Sequence, residues 1–333
     1  MKEGLFYKKL DRKKVKCSLC NHRCIIKNGD RGICNVRENN NGVLFSLVYG
    51  KVIAQSIDPI EKKPLFHFHP GSKTYSIATE GCNFKCLHCQ NYNISQKENK
   101  EIYGKTITAE DIVKNAIEEG CESIAYTYTE PTIFYEFAYD ISKIASKNKI
   151  KNIFVTNGYI TNEALEMISP YLNGANIDLK SMNNLFYRDT CKAKLQPVLD
   201  TIQKFYDLGI WIEITTLIIP GYNDKKDEIK MIANFIKNID ENIPWHVTGF
   251  HPDYKLENCP STKVETLNNI IKIGKNAGLN YVYQGNVGNG EDTFCPKCKN
   301  LIIKRNVFNI SSVKIKNNHC LFCDENIQGI WDE

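Results

Sequence analysis

The sequence predicts an α/β fold organised as a partial (β/α)6-type barrel, flanked by a small cysteine-rich segment on each side. Three observations predict it. Seven short runs rich in apolar, β-branched or aromatic residues recur between residues 75 and 284. Amphipathic stretches at helical spacing lie between them. Eleven of the fourteen cysteines fall in three tight clusters, two of which lie outside that alternating region. Strands alternating with single helices imply right-handed βαβ units and a parallel sheet.

The expected strands are Tyr75–Thr79, Ser123–Thr129, Asn152–Thr156, Ala175–Leu179, Trp211–Ile218, His246–Phe250 and Asn280–Gln284. Helical periodicity is clear in Ile112, Val113, Ala116 and Ile117. It recurs in Val198, Leu199, Ile202, Phe205 and Tyr206, and again in Ile229, Ile232, Ala233 and Ile236. Thr108 with Asp111 three residues on marks a helix start, and Gly120, Gly209 and Gly278 stand where helices should stop. The expected organisation is residues 1–70 as a cysteine-rich metal-binding segment, 71–286 as the barrel, and 287–333 as a second small metal-binding segment. The last boundary falls in the glycine-rich GNVGNGED.

Composition excludes several classes. The chain has 333 residues, enough for two domains or for one large barrel with appendages. Apolar residues make up 42% and charged residues 24%, so a real core is available and disorder is excluded. No apolar run is long enough to span a membrane. The start MKEGLFYKKLDRKKVK is basic but lacks an apolar h-region, so it reads as no secretory signal, and the expected location is cytoplasmic. A net charge of +5 permits RNA or an acidic partner without arguing for one. The basic run Lys8, Lys9, Arg12, Lys13, Lys14 and Lys16 reads as a solvated face.

A reducing location makes clustered cysteines metal ligands rather than disulfides. In GCNFKCLHCQN, Cys82, Cys86 and Cys89 follow the first expected strand. Three thiolates from one loop suit three irons of a [4Fe–4S] cube, leaving the fourth iron open to an exogenous ligand. The alternatives are a zinc site completed by His88, or a fourth thiolate from elsewhere in the chain. Cys295, Cys298, Cys320 and Cys323 form two CxxC knuckles and read as a zinc ribbon, with iron as the rival. Cys17, Cys20, Cys24 and Cys34 suit zinc or a second cluster equally. Of the isolated cysteines, Cys121 reads as buried and structural. Cys191 and Cys259 are expected in loops on the active face, as candidate hydrogen donors or substrate-side thiols. His67 and His69 in LFHFHP are expected to line an entry loop.

A barrel should carry its functional residues at the carboxyl ends of its strands. Besides the cysteine triplet, Glu130, Asn157, Asp178, Lys180, Thr215, Thr216, Pro220 and His251 all fall there. With EKKPLFHFHPG, EGCNFKCLHCQNYNISQ, YTYTEPT, FVTNG, IDLK and IIPGYND in this order, the chain resembles the radical S-adenosylmethionine (radical SAM) superfamily. Within it, the chain is most similar to the pyruvate formate-lyase activating enzyme-like branch and its AmmeMemoRadiSam group. The resemblance implies a radical SAM core whose open iron chelates S-adenosylmethionine. Thr129 and Glu130 would contact its amino group, and Lys180 would pair its carboxylate with Asp178 alongside. Asn157 would make a polar contact, with His88 and His251 near the adenine or ribose. Relatives usually carry two glycines where this chain has Tyr128 and Thr129.

The implied reaction is reductive cleavage of S-adenosylmethionine to a 5′-deoxyadenosyl radical that abstracts hydrogen from a substrate. Reduced ferredoxin or flavodoxin would be the electron donor. The expectation is an oxygen-sensitive oxidoreductase acting on a protein. The alternatives are radical modification of RNA or a small metabolite, and, from another class, a non-catalytic iron–sulfur electron carrier or scaffold.

Overall fold

The computed structural model describes residues 1–96, 101–287 and 291–331; residues 288–290 of the glycine-rich GNVGNGED lie outside them. One eight-stranded sheet forms the centre: β1 (Ala54–Pro59), β2 (Lys73–Ala78), β3 (Ser123–Tyr126), β4 (Lys151–Thr156), β5 (Gly174–Asp178), β6 (Trp211–Ile218), β7 (Trp245–Gly249) and β8 (Val282–Gly285). The strands neighbour one another in chain order, and β2 to β8 are all parallel. Helices α1 (Ala109–Glu118), α2 (Tyr135–Lys147), α3 (Asn162–Ile168), α4 (Gln196–Asp207), α5 (Lys226–Ile239) and α6 (Val264–Ala277) form the crossovers. The two edge strands, β1 and β8, do not pair, so the barrel is partial, as the alternation predicts.

The helix signals act as anticipated. The Thr108 side chain accepts from the Asp111 amide at 3.1 Å and donates to its carboxylate at 2.7 Å, satisfying an orphan N–H at the start of α1. Ile112, Val113 and Ala116 turn inward on this helix, as do Ile229, Ile232, Ala233 and Ile236 on α5. Gly278 closes α6 in the left-handed conformation, φ +102°.

Two features depart from the sequence expectations. First, β1 is an antiparallel edge strand, registering Ala54 opposite Ala78 and Pro59 opposite Lys73. Its AQSIDP sequence carries little apolar alternation, because residues 55–57 face solvent. Second, His67 does not line an entry loop. The chain after β1 folds under the amino ends of the strands, where Ile60, Leu65 and Phe68 pack with Ala125 and Ile153, while Lys62, Lys63 and Pro64 between them line a cavity above. His67 is fully buried among Trp211, Tyr281, Tyr283 and Trp331, with Nε2 2.6 Å from the Tyr283 hydroxyl. A buried imidazole with both nitrogens hydrogen-bonded plugs the barrel floor rather than guarding its mouth.

The plug is tied down by Glu213 of β6, which is fully buried. Its carboxylate accepts from the backbone N–H of Phe66 (2.9 Å) and of His67 (2.7 Å), from Trp211 Nε1 (3.1 Å) and from His246 Nε2 (2.6 Å). Burial alone pushes this carboxyl up, but the donors, His246 first, outweigh it and hold it below its ordinary value. A depressed carboxyl contributes stability above its unfolded pKa and loses it as pH falls through the folded value. The unfolding free energy is therefore expected to drop below about pH 4.5, the ordinary value for the group. Glu213→Gln should blunt that acid dependence and lower stability at pH 7 by about 1–3 kcal/mol, the scale of weakened bonds to a buried charged group. Urea unfolding across pH checks both.

The outer segments pack directly on the barrel. Strands Tyr7–Lys9, Val15–Cys17 and Ile25–Ile26 form a small antiparallel sheet that carries the first cysteines. The Thr161 hydroxyl, after β4, donates to the carbonyl of Ser18, and the Asn21 amide donates to the carbonyl of Tyr159. At the other end, Thr293–Phe294, Leu301–Asn306 and Asn309–Val313 make a three-stranded ribbon. Arg305 reaches from it to the carbonyl of Phe66 at 2.7 Å. Among the described residues, no helix is long and apolar enough to cross a membrane.

Candidate active site

A cavity of about 350 Å³ opens at the carboxyl ends of the strands, a volume typical of small-molecule sites. Cys82, Cys86 and Cys89 line it together with His88, Thr129, Glu130, Asn157, Asp178 and Lys180. The ends of four strands, β2 to β5, that are distant in sequence thus deliver the expected side chains to one place.

The triplet rides on a loop after β2 that is held from both sides. The amides of Lys85 and Leu87 donate to the carbonyls of Cys191 (2.9 Å) and Thr190 (3.0 Å). Cys82 Sγ accepts from the amide of Phe84 at 3.4 Å, and Asn157 Nδ2 stands 3.9 Å from it. Cys89 Sγ lies 3.1 Å from the Ser95 hydroxyl. Burial, together with the neighbouring anionic groups, pushes the Cys82 thiol well up. Three desolvated sulfurs that face one cavity with N–H and O–H donors around them suit a metal cluster, whose positive charge would restore their thiolate form.

Glu130 is buried and fully bonded. Oε1 accepts from the Thr132 amide (3.0 Å), the Thr132 hydroxyl (2.5 Å) and the Thr156 hydroxyl (2.8 Å); Oε2 accepts from the Asn157 amide (2.8 Å). Burial pushes its carboxyl up against these bonds. The side chain therefore joins the β3 and β4 loops into one rigid wall. Asn157 extends that wall to the cluster loop, donating from Nδ2 to Asn83 Oδ1 at 2.7 Å.

Lys180 and Asp178 pair at 2.8 Å, with the lysine side chain only 15% exposed. Burial works against the ammonium charge, but the neighbouring anionic groups, Asp178 first, outweigh it and raise its pKa well above the ordinary value. The cavity wall therefore holds a permanent cation. Burial, and then the charge of Lys180, push the His88 imidazole down to about 3, so it is neutral at physiological pH.

Two buried polar atoms on the cavity wall, His88 Nδ1 and Thr215 Oγ1, have no hydrogen-bond partner in the protein. Orphaned buried polar atoms are rare in folded proteins and point to a polar ligand. With a cation, a carboxylate and three thiols in reach, the donor set fits an amino-acid nucleotide beside a metal cluster.

Tyr128 explains the departure from the double glycine. Its backbone is left-handed, φ +62°, the conformation that glycine adopts without penalty. A tyrosine is held there at a cost of roughly 1–2 kcal/mol. Its hydroxyl donates to the Asp58 carboxylate, its ring lies 4.4 Å from Lys63 Nζ, and its carbonyl accepts from Asn91 Nδ2 at 2.8 Å. Asp58 also binds Lys62 and Lys63, each at 2.7 Å. Sequence reasoning singled out none of Asp58, Lys62, Lys63 and Asn83, although Lys62 and Lys63 also line the cavity. The only signal for the lysines was their place in the EKKP stretch.

Of the other expected residues, Thr215 lines this cavity, whereas His251, Cys191 and Cys259 do not. His251 is exposed beyond β7, with Nε2 3.3 Å from the carbonyl oxygen of Asn286; Asn286 lines the cavity instead. Cys191 is fully buried against the cluster loop rather than on a mouth loop. Cys259 is half-buried near the Pro220 carbonyl, 3.7 Å away. Thr215 and Thr216 lie within β6 rather than at its end. Cys121 is buried, as its apolar setting predicts.

At the far end, the sulfurs of Cys295, Cys298, Cys320 and Cys323 all lie within 4.8 Å of one another, with 3.6 Å between Cys295 and Cys323 and 3.8 Å between Cys298 and Cys320. Four thiolates around one tetrahedral ion with bonds of about 2.3 Å stand about 3.8 Å apart. The spacing of this tetrad is one that could hold a single metal ion.

The family model of the radical SAM superfamily matches residues 76–236. A putative glycyl-radical enzyme activating enzyme of Methanocaldococcus jannaschii is 30% identical over 187 residues, 54% of this chain and 68% of that protein. The chain belongs to the radical SAM superfamily. An uncharacterized protein of the same organism is 48% identical over 332 residues, covering 98% of this chain and 99% of its own length. The pyruvate formate-lyase-activating enzyme of Clostridium pasteurianum is 24% identical over 223 residues, 62% of this chain and 91% of the enzyme. Among solved structures, Streptococcus suis SuiB bound to S-adenosylmethionine superposes on 68% of this chain and 52% of its own, with a TM-score of 0.52. At 14% identity that likeness concerns the fold alone. Membership of the radical SAM superfamily implies a [4Fe–4S] cluster and S-adenosylmethionine as the working pair.

Proposed function

We propose that this chain is a radical SAM enzyme of the activating-enzyme type, whose cluster is held by Cys82, Cys86 and Cys89 and whose substrate is a protein. When bound, the cluster and S-adenosylmethionine supply one-electron cleavage to a 5′-deoxyadenosyl radical. The observation that carries the reading is the convergence on one cavity of three thiols, a permanent cation and two orphaned polar atoms. Among the described residues, no fourth cysteine lines that cavity.

Each residue then has a task. Lys180, fixed by Asp178, pairs the methionyl carboxylate. The wall built by Glu130 and Asn157 keeps the carbonyl oxygens of its loop at a set distance from the cluster loop for the amino group. His88, neutral at working pH, hydrogen-bonds the nucleoside through Nδ1, and Thr215 does so through Oγ1. His251 sits outside the cavity and reaches the ligand only through movement of the loop after β7. The glycyl-radical activating relative supports a protein substrate, as does the gap between β1 and β8. Segments 1–70 and 287–333 serve as metal-bearing supports of the 71–286 barrel, with zinc in the C-terminal tetrad. A reduced ferredoxin or flavodoxin supplies the electron.

Incubated anaerobically with S-adenosylmethionine and dithionite, the reconstituted protein should form 5′-deoxyadenosine, and S-adenosylmethionine should alter the EPR spectrum of its reduced cluster. An unaltered spectrum with no nucleoside would instead mark an electron carrier or scaffold.

A further inference from the structure

The N-terminal cysteines meet in space as well as in sequence. Cys17, Cys20, Cys24 and Cys34 line one enclosed cavity of about 20 Å³ with Leu19 and Ile26. Interiors are close-packed, with few voids larger than a water molecule, so a void walled by four thiols is a specific feature. Its dimensions differ from those of the C-terminal site. Among the described residues, the C-terminal four are the group whose ligand sulfurs all lie within 4.8 Å of one another; neither the N-terminal four nor the Cys82, Cys86 and Cys89 triplet forms such a group. A single ion draws its thiolates to about 3.8 Å. A cube gives each thiolate its own iron and spreads them further. The N-terminal set shares the spacing class of the triplet.

The site also abuts the triplet's loop. A side chain on Gly81, the residue before Cys82, would stand 2.9 Å from the carbonyl oxygen of Cys34 and 2.6 Å from Val36 Cγ1. His22 Nε2 is 2.8 Å from the carbonyl oxygen of Asn83, the residue after Cys82. The hairpin Tyr7–Lys9 and Val15–Cys17 carries Cys17, and its Lys8, Lys9, Arg12, Lys13 and Lys16 are exposed.

We infer that Cys17, Cys20, Cys24 and Cys34 ligate a second [4Fe–4S] cluster, which passes electrons to the cluster of the central triplet across the Gly81–Asn83 stretch. The electron-passing role rests on the function proposed above; the cluster itself does not. One electron leaves the reduced N-terminal cluster, which returns to its oxidised level, and reduces the central one; no bond forms or breaks. The primary reductant is a low-potential flavin or iron–sulfur protein with an acidic face, which the basic hairpin would attract.

Metal and sulfide analysis of the full chain, purified anaerobically, tests this. The expected content is about eight iron, about eight sulfide and about one zinc per chain. About four iron with about two zinc would overturn the inference by placing zinc at the N-terminal tetrad. Cys24→Ala should halve the iron while the remaining reduced cluster still responds to S-adenosylmethionine by EPR. With reduced flavodoxin as donor, this variant's central cluster should be reduced at least tenfold more slowly than the wild type's; an equal rate would overturn the electron-passing role. Eight iron with an EPR spectrum indifferent to S-adenosylmethionine would sink the proposed function and leave the second cluster standing.

Discussion

Cys86→Ala is expected to lose the central cluster's iron and to form 5′-deoxyadenosine at a rate at least about a hundredfold below wild type. That is the upper scale for changes beyond the ligands themselves, so a lost ligand should do no less. Cys86 is the middle sulfur of the triplet, is buried, and sits on the stretch pinned by the carbonyls of Thr190 and Cys191. The pinning amides belong to Lys85 and Leu87, so the backbone has no reason to shift when the thiol is removed. A folded protein with an unchanged circular dichroism spectrum and about four fewer irons per chain is the expected result. Lys180→Met separates binding from assembly. It should keep the iron, since lysine is no thiolate, yet weaken the EPR response to S-adenosylmethionine by about tenfold in ligand concentration, the 1–2 kcal/mol scale of a charge-assisted bond. Loss of iron in Lys180→Met would mean that the cation stabilises the thiolates instead.

The barrel was legible because its signals are local and periodic. Each β-branched run from Tyr75 to Gln284 overlaps an observed strand, with ends off by three residues at most. The site was legible because parallel topology collects residues that follow strands, which places Cys82, Glu130, Asn157 and Lys180 together without knowledge of any contact. What stayed hidden depends on long-range packing. His67 alternates with His69 as if on a strand, and only the Glu213 carboxylate, 146 residues away, shows that its backbone turns under the barrel. Asp58 was unreadable for the same reason: its partners are two adjacent lysines and a tyrosine 70 residues on. The choice between zinc and a cluster at Cys17, Cys20, Cys24 and Cys34 is a matter of distance between sulfurs, which spacing in the chain does not encode.

The N-terminal segment is fastened to the barrel by a buried ion pair, and breaking it should produce the largest loss of stability outside the metal sites. Arg37 Nη1 contacts both carboxylate oxygens of Glu136 on α2 at 2.8 Å, and neither side chain is more than 2% exposed. Nη2 reaches the carbonyl of Leu5, while Glu136 Oε1 accepts the Leu5 amide at 2.6 Å. Burial opposes the guanidinium charge, but Glu136 outweighs it and keeps the group ionised. One guanidinium nitrogen bridges both carboxylate oxygens and each partner is also bonded to the Leu5 backbone, contacts that offset part of the desolvation. Removing one partner leaves the other charge buried and alone, at a cost of about 3–5 kcal/mol. Glu136→Leu should therefore lower the urea midpoint of the holoprotein sharply, and Arg37→Met should do the same. Glu136→Leu combined with Arg37→Met should recover much of the loss, because two apolar side chains of similar volume leave no unpaired charge. Equal destabilisation by the single and double changes would mean instead that the contacts to Leu5 hold the segment, with the charges incidental. Since Arg37 also lines the N-terminal cysteine cavity, the single variants should lose any metal held there before the barrel unfolds.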